Sequence, residues 1–115
     1  MKKFKYVYVS GPMTNIPKLN FPLFAKVTKE LRKAGHLVIS PAEMDGKPDI
    51  NAVWINCMRR DIICMLSKCY AVVLLPNWKK SRGAKIEVWI AKKLSIKIIE
   101  YKHWVKGGYY GLLVD

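Results

Sequence analysis

Short β-rich segments alternating with amphipathic helical patterns predict an α/β protein, a parallel sheet of four to five strands with helices on both faces. Three observations carry that expectation. The order along the chain is β-α-β-α-β-α-β. The third β segment, Tyr70 to Leu75 (YAVVLL), is apolar almost throughout, as a strand covered on both faces must be. The joints hold turn and cap residues, Gly11-Pro12, Gly35, Pro41 and Ser81, where elements should stop or start. At 115 residues with 51% hydrophobic side chains, the chain can bury one core and is too short for two. The expectation is a single Rossmann-like (flavodoxin-like) domain over residues 1–100. An aromatic tail, residues 101–115, would pack on that domain or on a partner subunit.

Phe4 to Ser10 (FKYVYVS) is β-branched and aromatic, and Gly11-Pro12 stops it. A polar loop runs to Asn20, a residue suited to N-cap a helix, with Pro22 in the first turn. Phe21, Phe24, Val27, Leu31 and Ala34 recur at helical spacing, and Gly35 closes that helix. His36 to Ser40 is a short second strand ended by Pro41. Ala42 to Asn51, with Gly46, Pro48 and two aspartates, reads as a loop. A helix follows from about Ala52 to Ser67. After the apolar strand, Pro76 to Lys80 turns the chain and Ser81 caps a third helix running to about Leu94. Ile96 to Glu100 is the fourth strand. The tail could add a fifth strand, a lid or a subunit contact.

Bulk properties exclude several classes. No apolar run approaches the ~18 residues of a membrane helix. The lysine-bearing N-terminus lacks a signal-length apolar stretch and a cleavage site, so a cytosolic protein is expected. Cys57, Cys64 and Cys69 form no CxxC pair and have no clustered histidines, so neither zinc nor any other metal is expected. The 21 Lys+Arg against 8 Asp+Glu give a formal charge of +13. This serves solubility or attracts an anionic ligand. The lysines are scattered and no DNA-reading motif is present, so nucleic acid is not the expected partner, whereas a phosphorylated small molecule fits the charge.

With so few carboxylates, each can be weighed. Glu30 occupies an ordinary solvated position among Lys26, Lys29 and Lys33, Glu100 follows a strand, Asp115 is the last residue of the sequence, and Glu43, Asp45 and Asp49 lie in a loop where they could touch a ligand. Asp61 falls inside the apolar arc of Trp54, Cys57, Met58, Cys64 and Met65, so it must be paired, hydrogen-bonded or raised in pKa. An ion pair with Arg60 is the structural alternative to a functional role. Glu87 sits at the centre of the inward face of its helix, among Gly83, Ala84, Ala91 and Leu94. Small residues around an inward acid leave space beside it, a poor arrangement for stability alone. Ser81-Arg82-Gly83 opens the same helix with unpaired N–H groups, a hydroxyl and a guanidinium, a plausible phosphate or ribose site as well as an ordinary cap.

The other half of a pocket should come from the loop Ser10-Gly11-Pro12-Met13, with Asn20 and Phe21 at the following helix start, because open α/β sheets bind ligands at the carboxyl ends of their strands. That loop lacks GxGxxG, and no cofactor is expected. Tyr8 could aim its hydroxyl at the ligand or simply fill the core.

VYVSGPM, RRDI, AVVLLPNW and SRGAKIEVWIA, in this order over roughly Tyr6 to Ile99, resemble the nucleoside 2-deoxyribosyltransferase-like superfamily. The likeness is nearest to small phage and prophage proteins of uncharacterised function, and it extends to the 2′-deoxynucleoside 5′-monophosphate N-glycosidases. The resemblance implies Glu87 as nucleophile, Asp61 as the acid that protonates or positions the leaving base, Tyr8 as the group orienting the nucleophile, and Ser81 as a phosphate or sugar contact. It implies a nucleoside or nucleotide ligand and a homo-oligomer, at least a dimer. The expected reaction is N-glycosidic cleavage or transfer. The alternative is a pocket that binds and sequesters a nucleotide without chemistry.

Overall fold

The computed structural model describes residues 4–107. Four parallel strands, β1 (Tyr6–Ser10), β2 (Leu37–Ile39), β3 (Cys69–Leu74) and β4 (Lys97–Glu100), form one sheet in the order β2-β1-β3-β4. Tyr8 of β1 lies beside Ile39 on one side and Val72 on the other. The chain leaves β1 first towards β2 and later returns to its other flank with β3. This reversal opens a crevice at the carboxyl ends of β1 and β3.

Helix α1 (Phe21–Lys33) buries Phe24, Val27 and Leu31 on one face of the sheet. Helices α3 (Trp54–Lys68) and α4 (Arg82–Lys93) cover the other, inserting Met65, Val88 and Ala91. Alternation along β1 divides the two cores. Val7 and Val9 join the α1 side, and Tyr8 joins the α3/α4 side.

The strands, the three long helices and the parallel order agree with the sequence expectation. Two local expectations are corrected. Residues 42–51 are not loop throughout. Pro41–Asp45 form a short helix, α2, because Ser40 is extended and Pro41 supplies a fixed helical φ at the first position, so the residue that ends the strand also begins a helix. Asn20 does not cap α1 through its side chain; it takes φ 63°, and its amide Nδ2 donates to Pro12 O at 2.9 Å. No fifth strand follows β4 among the described residues. Helix α5 (Tyr101–Gly107) does, packing Tyr101 and Trp104 on the α1 side of the sheet. The remainder of the predicted tail lies outside the described residues.

Candidate functional site

The carboxyl ends of β1 and β3 come together because Leu75 N–H donates to Ser10 O at 2.8 Å. Gly11 follows immediately, and only glycine fits there. A Cβ at this position would stand 2.6 Å from Leu75 Cβ. The turn therefore hugs the sheet edge and leaves the space above it open. That space is a cleft of about 580 Å³. The Gly11–Asn15 loop, the end of α2, the first turns of α3 and the first turns of α4 wall it in.

Glu87 stands in this cleft with only 4% of its surface exposed. It reaches the sheet because Ala84 and Ala91 let α4 lie close, while Gly83 makes room for Met58 of α3, whose Sδ would stand 2.9 Å from a Cβ there. Two side chains on the same face of β1 meet it: Tyr8 donates its hydroxyl to Glu87 Oε2 at 2.5 Å, and Ser10 donates to Oε1 at 2.7 Å. Both donors are fully buried. Burial pushes the Glu87 carboxyl up to about 7, although the two hydrogen bonds pull it down, and the charge of Asp61 adds to the rise. Tyr8 is pushed well above its ordinary value by burial and then by the neighbouring Glu87 and Asp61 charges, so its hydroxyl keeps its proton and remains a donor.

Asp61 is the second carboxyl of the cleft, 6% exposed on α3. Arg60 Nε and Nη2 donate to its Oδ1 at 3.0 and 2.8 Å, and the same Nη2 reaches Asp45 Oδ1 at 2.6 Å. Burial raises the Asp61 carboxyl; Arg60 opposes the rise and Asp45 reinforces it. The Arg60 ion pair read from the sequence is therefore present together with the cleft position.

Across the cleft, the Ser81 hydroxyl accepts the Ala84 N–H at 3.1 Å and caps α4, which leaves its own proton free to donate. Lys80, Arg82 and Gly83 line the same lip. Arg82 lies over the Trp54 ring, 4.3 Å from its centroid, and joins the start of α4 to the start of α3. The site thus has an acidic floor and a basic lip.

Of the residues expected at the site, Gly11, Pro12, Met13, Asp61, Ser81, Arg82, Gly83 and Glu87 line the cleft. Tyr8 and Ser10 stand behind Glu87 as its donors. Asn20 and Phe21 are set back from the wall: Asn20 braces the loop through Pro12, and Phe21 packs against the α1 core. Sequence reasoning missed Lys80 and the Arg82–Trp54 stack. Position alone could have suggested Lys80, since it immediately precedes the cap.

Taken together, a short parallel sheet with a cleft holding two buried carboxyls at its carboxyl edge defines a Rossmann-like α/β protein. Residues 5–100 match the model of the family described as domain of unknown function (DUF4406), and the chain belongs to that family. No curated protein matches the chain.

Proposed function

We propose that this protein cleaves or transfers the N-glycosidic bond of a deoxynucleoside or its 5′-monophosphate, with Glu87 as nucleophile. One observation carries the reading: a nearly buried carboxyl, gripped at both oxygens by Tyr8 and Ser10, shares a cleft with a second buried carboxyl, Asp61. Two carboxyl groups with different partners suit a nucleophile and a proton donor. Glu87 attacks C1′ as the bond to the base breaks, the electron pair leaves with the base nitrogen, and Asp61 supplies the proton. Water or a second base then attacks C1′, releases Glu87 and returns a proton to Asp61. The two-step path replaces one difficult displacement by two easier ones. Tyr8 and Ser10 hold the carboxylate in line, and the small residues of α4 leave room for the sugar. Lys80, Arg82 and the start of α4 give a 5′-phosphate a basic seat.

The test is incubation with a panel of deoxynucleosides and their 5′-monophosphates, following free base by chromatography beside a Glu87→Ala control. Base released by the wild type and not by the variant is the expected result. The basic lip also favours a second reading, a nucleotide binder without chemistry. Ligand-dependent melting shifts without base release would replace the first reading by that one. The resemblance also supports a homo-oligomer, which sedimentation of the purified protein would test.

A further inference from the structure

Arg60 is half-buried, and its side chain reaches two carboxylates on two helices at once. Both of its bonds to Asp61 fall on Oδ1, and among the described residues Arg60 is the only side chain hydrogen-bonded to that carboxyl. Asp61 itself lines the cleft, whereas Arg60 does not. A neutral carboxyl has one carbonyl-type oxygen and one hydroxyl oxygen, and a guanidinium can only donate. The oxygen that accepts from Arg60 twice cannot favourably hold the proton as well.

We propose that Arg60 is a positioning residue that fixes the exchangeable proton of Asp61 on Oδ2 and anchors that carboxyl to α2 through Asp45. This rests on the reading of Asp61 as the proton donor. In the first step the proton moves from Oδ2 to the departing base nitrogen, and Asp61 becomes a carboxylate whose charge Arg60 already faces. In the second step Asp61 recovers a proton from the attacking water or base. Arg60 touches no reacting atom. Its second bond, to Asp45, holds α2 and α3 in fixed relation, so the carboxyl does not swing towards solvent.

Asp61 is flanked by Arg60 on its own helix, Asp45 on α2, Glu87 on α4 and Tyr8 on β1. Removing the cation and removing the competing anion therefore act in opposite directions. The experiment is a carbon-13 titration of the Asp61 carboxyl in the ligand-free protein, for wild type, Arg60→Ala, Arg60→Lys and Asp45→Asn, with kcat and KM measured alongside. Arg60→Ala should move the Asp61 midpoint to higher pH, Asp45→Asn should move it lower, and Arg60→Lys should fall between wild type and Arg60→Ala. Arg60→Ala should also lower kcat by about 10- to 100-fold and leave KM within about threefold, as expected for a misplaced donor in an otherwise intact cleft. An Asp61 midpoint that ignores these substitutions would overturn the proposal, as would a loss confined to KM. If Arg60→Ala does not fold, Asp45→Asn and Arg60→Lys decide by the same titration. If the midpoints move as expected but the wild type releases no base, Arg60 still governs Asp61 and the glycosidic reading alone fails.

Discussion

The two faces of the sheet are built from the same strand and serve opposite ends. On one side β1 gives Val7 and Val9 to a dry core with α1 and α5; on the other it gives Tyr8 and Ser10 to a carboxyl. The first face is held by volume, since Phe24, Val27 and Leu31 are wholly buried there. The second face keeps small residues on α4 and a titratable group that burial penalises when charged. Alternation along one strand is enough to keep these demands apart. The parity of its number therefore tells which face a β1 residue serves, Val7 and Val9 the α1 core and Tyr8 and Ser10 the proposed site.

The largest break in that division should come from Glu87→Gln. It keeps the shape of the side chain and removes the oxygen proposed as the nucleophile, so base release should fall by at least about 10³-fold. Stability should go the other way. With a folded-state value of about 7 against an ordinary 4.5, Glu87 in the native protein holds its proton over a window where the unfolded chain has lost it. The stability contributed by the protonated carboxyl is fully present below about pH 4.5 and is lost as pH rises to about 7, a fall on the order of 3 kcal/mol. Denaturant titrations from pH 4 to 8 should show this slope in the wild type and a flatter profile in Glu87→Gln. Base release should rise as pH approaches about 7, where Glu87 becomes a carboxylate, and fall again once Asp61 has lost the proton it supplies. A Glu87→Gln protein that is inactive and as pH-sensitive as wild type would place the titrating group elsewhere.

The opposite pattern is expected across the sheet. Leu31→Ala empties a fully buried position on α1 and should cost about 3 kcal/mol in chemical denaturation. Measured well below its new melting temperature, it should leave kcat and KM close to wild type. A change in kcat comparable with the loss from Glu87→Gln would show that the two faces are mechanically coupled.

The division was legible in the sequence where periodicity carries it. Helical spacing alone placed Asp61 and Glu87 on apolar arcs, and the structure buries both. Tyr8 and Ser10 lie two apart in β1 and share a face, but nothing in the local sequence says that this face meets Glu87, nearly 80 residues away. Asn20 misled because its residue type suits a cap, while the backbone before it, with Lys18 and Leu19 also at positive φ, presents its amide to the Gly11–Asn15 turn region through Pro12. The α2 helix escaped notice because five residues are too few to show a period. The Arg60–Asp45 contact escaped for a different reason: it exists only once α2 and α3 have packed.

The smallest effect concerns the helix ends that close the two faces. Helix α1 ends with His36 N–H on Leu31 O and Gly35 N–H on Arg32 O, with Gly35 at φ 100°. Helix α4 ends with the same pair of bonds, Ile96 N–H on Ala91 O and Ser95 N–H on Lys92 O, but a serine takes the left-handed position at φ 57°. That conformation crowds a Cβ against the backbone, and glycine relieves it. The greater freedom of glycine in the unfolded chain offsets part of the gain. Ser95→Gly should therefore stabilise the protein by about 0.5 kcal/mol, and Gly35→Ala, whose added Cβ would meet nothing within 4 Å, should cost about 1 kcal/mol through backbone strain alone. Ser95 sits at the end of α4 remote from the Ser81 cap, so base release should not change. If Ser95→Gly altered kcat, the placement of Glu87 would depend on how α4 is held at its far end, and the chemical face would be more strained than its hydrogen bonds indicate.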